Sequence, residues 1–188
     1  MFEKEFWKPG NMLYPIPAVM VSCGRKEEKP NIITIAWAGT VCSSPAMVSI
    51  SVRKERYSYQ LIRDSREFVI NLVTKNLIRQ ADYCGVKSGR DVDKFKEMKL
   101  TAVPAKAVSV PLIGESPVNI ECVVKDILEL GSHDMFLAEV VSVAVDRQRI
   151  DKKGRLQLNE SGLIVFSHGE YYSLGELLGK FGYSVRKK

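Results

Sequence analysis

The chain has 188 residues, 45% of them hydrophobic and 27% charged, with a net charge of +6. That length predicts one domain, residues 1–188, with a sizeable core, and the composition is that of an ordinary globular protein. No long uncharged apolar run argues for a membrane span, and the scattered basic residues form no nucleic-acid motif, so a small anionic ligand fits the charge as well as any other partner.

Residues 1–16 are predicted to form an amino-terminal arm that packs Phe2, Phe6, Trp7 and Tyr14 on the domain or on a partner subunit. The opening MFEKEFWKPG lacks the pattern of a signal peptide, so a cytoplasmic location is expected. Ala18–Gly24 reads as a strand and Arg25–Pro30 as a charged loop. In Asn31–Ser58 an apolar run (Ile32–Ala38) and a second run (Ala46–Val52) flank a small polar corner, Gly39–Ser44, punctuated by Pro45. This pattern predicts two strands with a bent connection. Val48, Ile50 and Val52 alternate with Ser49, Ser51 and Arg53, which predicts one core face and one face turned to solvent or ligand. Arg53, Arg56 and Ser58 then meet the start of a helix, Ser58–Ser65. Either they form an anion site, with Ser58 as N-cap, or Ser58 merely caps and the arginines are solvated.

Glu67–Leu72 reads as a strand and Lys75–Tyr83 as a helix stopped by Gly85. Gly85–Arg90 is a loop, after which Asp91 is expected to cap a short helix bearing Val92, Phe95 and Met98. Pro104–Pro117 is irregular, with an edge strand expected at Val108–Leu112. Asn119–Leu130 and Met135–Asp146 form an antiparallel pair through Gly131-Ser132-His133. Gln148–Gly154 is a charged turn, Leu163–Ser167 the last strand, and residues 167–188 an aromatic and glycine-rich tail ending in a basic run, Arg186–Lys188. Many strands with short inserted helices indicate a mainly β antiparallel barrel rather than alternating β/α units.

Cys23, Cys42, Cys84 and Cys122 lie far apart, so no zinc, iron–sulfur or other metal site is expected. Cys23 and Cys122 sit in apolar runs as core residues, whereas Cys42 is placed to line a site. His133 is either a turn residue or a site residue. His168, with Tyr171, Tyr172 and Phe181, either roofs a planar ring or covers one end of the barrel.

The segments NIITIAWAGTVCSSPAMVSISVRKERYS, YCGVKSGRDVDKF, ELGSHDMFLAEV and SHGEYYSLGELLGKFGYS resemble the flavin reductase-like family of FMN-binding split barrels, in particular its flavoredoxin branch. That resemblance implies a Greek-key-like split β-barrel and a homodimer with flavin at the interface. It also implies FMN held by Trp37, Ala38, Gly39, Thr40, Val41, Cys42, Val52, Arg53, Ser58, Ser88, Gly89 and Lys94, with the flavin carrying the chemistry and no catalytic side chain. His133, His168 and Tyr171 would lie on the nicotinamide or substrate side. Relatives that use NAD(P)H often carry Gly-Asp-His where this chain has Gly131-Ser132-His133, so the departure favours a flavoredoxin-like carrier serving a small substrate or redox protein. An NAD(P)H-dependent flavin reductase and a non-catalytic module for another anion are the alternatives.

Overall fold

The computed structural model describes residues 2–24 and 27–185. The expected loop at Arg25–Pro30 is therefore described only from residue 27, and the basic run Arg186–Lys188 lies outside the described residues.

In chain order the strands are β1 (Ile16–Pro17), β2 (Val19–Cys23), β3 (Asn31–Ile35), β4 (Ala38–Ser43), β5 (Ala46–Arg53) and β6 (Glu67–Leu72). They continue with β7 (Ala102–Val103), β8 (Leu112–Ile113), β9 (Val118–Glu129), β10 (His133–Val145), β11 (Ile164–Ser167) and β12 (Glu170–Ser173). Helix α1 (Tyr57–Ser65) joins β5 to β6, while α2 (Ile78–Val86) and α3 (Lys94–Glu97) follow β6. Seven strands form one curled antiparallel sheet in the order β3-β2-β6-β9-β10-β5-β4, the half-barrel expected from the sequence. Smaller sheets β1-β11-β12 and β7-β8 lie beside it.

Strand alternation divides the core into layers. Val19, Val21, Ile33, Val48, Ile50, Val52, Phe68 and Phe136 gather on one face around Tyr59, Leu61 and Ile62 of α1. Met20 and Ile32 point the other way, against Leu77, Ala81 and Cys84 at α2 and Phe95 of α3. β2 is therefore buried on both faces and reads as a continuous apolar run.

Several local expectations are corrected. The polar corner Gly39–Ser44 is mostly strand: β4 pairs with β5, and the turn is confined to Ser44-Pro45. It escapes the alternation rule because it is an edge strand with little buried surface. Val108–Leu112 is not an edge strand, because side chains from the sheet take up the backbone groups of this region instead of a ladder. Ser109 N donates to Glu67 Oε2 at 2.7 Å, and just before it the fully buried Glu121 carboxylate accepts the N–H groups of Lys106 (3.2 Å) and Ala107 (2.5 Å). Only Leu112–Ile113 pairs, with β7. The tail adds an unforeseen strand, β12, turned back on β11.

Helix termini differ too. α1 begins at Tyr57 with Arg56 in the cap position and no side-chain cap; Ser58 lies inside the first turn, buried, its Oγ accepting from Asn31 Nδ2 at 2.8 Å. Asp93, not Asp91, caps α3 by accepting from Lys96 N at 3.1 Å. Gly85 does not stop α2; it lies within the helix, where an added Cβ would sit 3.3 Å from Thr34 Cβ, so it serves close packing on β3.

Two buried charged groups tie elements together. Lys94 Nζ, 3% exposed for the residue as a whole, donates to Ile32 O (2.6 Å) and Cys84 O (2.9 Å), fastening α3 to β3 and to the end of α2. Asp134 is fully buried on β10, accepting from Tyr59 Oη at 2.6 Å and facing Lys54 Nζ at 3.4 Å. Burial pushes its carboxyl up, but Tyr59 and Lys54 outweigh burial and hold it below the usual carboxylate range.

Two tests follow from this. Glu121→Ala strands two amide donors and should destabilise the protein by about 2–4 kcal/mol in urea unfolding. A depressed carboxyl contributes stability that is present above its unfolded value and is lost as pH falls through the folded one. Asp134→Asn should therefore be less stable at neutral pH and lose less further stability than wild type between about pH 5 and pH 2, read as thermal midpoints across that range.

Candidate functional site

The outward residues of β5 form the floor of a groove. Arg53, Ser51 and Ser49, at alternate positions, line three compartments, each sharing lining residues with the next. The first, of about 360 Å³, lies at the start of α1; the second, of about 150 Å³, shares Ile33, Arg53 and Arg56 with it. The third, of about 680 Å³, shares Ala36, Trp37 and Ser51 with the second and is walled by the arm at Gly10–Tyr14.

The first compartment is cationic. Arg53, Arg56, Lys87, Arg90 and Lys94 line it together with Ser58 and Ser88. Tyr57 and Ser58 belong to the first turn of α1, where helical N–H groups have no intrahelical acceptor, and no acidic residue stands in that turn. Glu55 is the acid in the lining, and it faces Arg53 Nη1 at 3.6 Å. Its own backbone N–H, then Arg53, keep its carboxyl below the usual value despite some burial. Arg90 lies over the Tyr57 ring, 5.5 Å from the centroid. The loop carrying Ser88 and Gly89 is pressed against β3: a Cβ on Gly89 would lie 2.1 Å from Asn31 Oδ1. Any larger residue there would have to displace the Asn31 amide and its hydrogen bond to Ser58.

In the second compartment His133 packs on Trp37 with ring centroids 4.3 Å apart, and it pairs in register with Arg53 across β10 and β5. Burial, and then the Arg53 charge, lower its imidazole pKa, with Glu55 opposing. Asp134, which follows His133, turns to the core and so cannot stand in for an Asp at position 132.

The structure therefore brings together Arg53, Ser58, Ser88, Gly89, Lys94, Trp37, Ala38, Gly39 and His133 along one groove. Val52 borders it only through its main chain, since its side chain is core. Thr40, Val41 and Cys42 lie farther along β4, with Val41 at a bulge. His168 sits at the β11–β12 turn against Tyr14, 4.7 Å between ring centroids, and reaches the groove only through that wall residue. Tyr171 packs on Phe166 and donates to Asp82 Oδ1 at 3.3 Å, while Phe181 is exposed within this chain. Burial raises the thiols of Cys23 and Cys122 to about 12 and Cys84 to about 11, which keeps them protonated and inert. Ser49 falls on the β5 face expected to meet solvent or ligand, whereas Asn31 and the arm at Gly10–Tyr14 carry no sequence signal of a site; Lys87 and Arg90 are visible in the KSGR loop without being singled out.

Residues 12–175 match the flavin reductase like domain. A flavoredoxin of Desulfovibrio vulgaris (Miyazaki F) is 33% identical and superposes with a TM-score of 0.90 over 98% of this chain and 100% of that one. A flavoredoxin from Methanosarcina acetivorans, at 23% identity and a TM-score of 0.87 over 98% of this chain and 100% of its own, shares the fold. An uncharacterised protein of Archaeoglobus fulgidus is 34% identical over 131 residues, 70% of this chain and 73% of that protein. With the domain matched over most of its length and a solved relative superposing over nearly all of it, the chain belongs to the flavin reductase-like family.

Proposed function

We propose that the groove binds FMN and that the protein is a flavin-dependent oxidoreductase of the flavoredoxin type. The observation that carries this reading is the graded groove: clustered cations at the amino end of α1, continuous with an aromatic and small-residue stretch along one strand. A ribityl phosphate suits the first compartment. The guanidinium groups of Arg53, Arg56 and Arg90 and the Ser88 hydroxyl can surround a dianion there, and the first-turn N–H groups of α1 face it. An isoalloxazine ring suits the second, against Trp37, where Ala38 and Gly39 let backbone come close at its far edge.

Bound flavin supplies the electron or hydride chemistry. The chain's part is to hold the phosphate, orient the ring and set the polarity around it. Lys94 acts in this reading by fixing the loop over the first compartment, its Nζ being held by two carbonyls. The exposed Phe2, Phe6 and Trp7 of the arm and Leu178 and Phe181 of the tail support a homodimer that covers them. Among the described residues no helix is long and apolar enough to cross a membrane.

The test is an absorbance spectrum of the purified protein, followed by anaerobic NADH, NADPH and then dithionite. Flavin bands that bleach only with dithionite are expected. Bleaching by a nicotinamide makes the protein an NAD(P)H-dependent reductase, and failure to bind added FMN leaves a module for another anion. Arg90→Ala should weaken FMN by roughly tenfold or more while leaving riboflavin binding nearly unchanged, because Arg90 lines the first compartment and not the second; Arg53 lines both, so Arg53→Ala should weaken FMN at least as much and riboflavin as well.

A further inference from the structure

Three side chains that meet on the core side of the sheet are each the sequence neighbour of a groove residue. Asp134 follows His133 on β10, Lys54 follows Arg53 at the end of β5, and Tyr59 follows Ser58 in the first turn of α1. Asp134 and Tyr59 are buried in the core, whereas Arg53, Ser58 and His133 line the groove. Asp134 is the hub of the inner set. Its Oδ2 accepts from Tyr59 Oη at 2.6 Å, and the Tyr59 ring packs edge-on against Phe136, farther along the same face of β10. Its Oδ1 is buried and accepts no hydrogen bond among the described residues; Lys54 Nζ faces it at 3.4 Å. A buried carboxylate is costly without its partner charge, so Asp134 draws Lys54 toward the core. Lys54 also lies 3.7 Å from Glu129 Oε2, an exposed partner worth little beside a buried one.

Lys54 belongs to the turn from Arg53 to Arg56, which Arg56 N closes by donating to Arg53 O at 3.1 Å. With Lys54 held on the core side and Tyr59 tied to the same carboxylate, this turn is fixed at both ends, and its two arginines face the groove. We infer that Asp134, acting through Lys54 and Tyr59, is a positioning residue of the cationic compartment, which holds Arg53 beside His133 and toward a bound anion. Asp134 touches no ligand in this arrangement. The inference rests on the reading that the first compartment takes the flavin phosphate.

His133 reports on the arrangement. Arg53 and Glu55 act on it from β5 and the turn that follows, Arg56 shares its compartment, Trp37 packs on its ring, and Ser132 Oγ lies 2.9 Å from its Nδ1. Of the charges acting on it, Arg53 lowers its pKa and Glu55 raises it. Replacing a nearby carboxylate by an amide lowers an imidazole pKa directly, so a rise in Asp134→Asn reports Arg53 moving away.

The test is the imidazole titration of His133, followed by NMR on the full chain without added ligand. Asp134→Asn keeps the shape and an acceptor for Tyr59 but removes the charge that holds Lys54. It should raise the His133 pKa through most of the rise seen in Arg53→Ala, and in an Arg53→Ala background it should add nothing. It should also weaken FMN by roughly two- to tenfold. Lys54→Met, at a partly exposed position, should reproduce both effects and serves the same comparison if Asp134→Asn is not recovered folded. A lower thermal midpoint with an unshifted imidazole makes Asp134 purely structural and overturns the inference. An equal rise with and without Arg53 overturns it, as does no rise in Arg53→Ala itself, since the pair would then not be held together. Unchanged FMN affinity in the variants of a wild type that binds FMN overturns it as well. Wild-type protein that binds no FMN overturns the flavin reading instead, while the imidazole titration still decides the role of Asp134.

Discussion

The period-two alternation of β5 is the constraint on which the rest depends. Val48, Ile50 and Val52 are held in the core against α1, so Ser49, Ser51 and Arg53 have no choice but the opposite face. A one-residue slip in register would bury an arginine and turn three aliphatic side chains into the groove. The pairing of β5 with both β10 and β4 fixes that register. Core packing and site geometry are thus set by the same eight residues, and α1, which follows at once, brings its positive end to the strand's last residue.

A second constraint works from the other side of the groove. Lys94 holds α3 to β3 and to the end of α2, and the Asn31–Ser58 hydrogen bond joins β3 to α1. The intervening loop passes close over the Asn31 amide, which a glycine at position 89 leaves undisturbed. Burial and a nearby guanidinium, Arg56, lower the ammonium's pKa, while two carbonyls satisfy two of its donors. Resemblance placed Lys94 among ligand contacts; its hydrogen bonds make it first a fastening for the loop that carries Ser88 and Arg90.

Legibility in the sequence followed burial. β2, β5, β6, β9 and β10 are buried on at least one face and so announce themselves by apolar runs or alternation. β4 is mostly exposed and carries no such period, and the stretch near Val108 is held by Glu67 and Glu121, partners far away in the chain. The start of α1 was misplaced because its cap uses no side chain, leaving the serine signal two residues inside. Cations are conspicuous in a sequence, so the phosphate-like end of the groove could be guessed. At the neutral end the resemblance and the β5 alternation point to Trp37, Ala38, Gly39, Ser49 and Ser51, but the arm's place beside them depends on long-range pairing that no local pattern carries.

The cross-strand pair of His133 and Arg53 couples proton and anion. The guanidinium is one of the two causes that lower the imidazole pKa. Any anion that settles on Arg53 offsets that charge and makes His133 more basic; by reciprocity, a proton on His133 tightens the grip on the anion. If an anion occupies the groove as proposed, its binding and the protonation of His133 are linked through the β5–β10 pair.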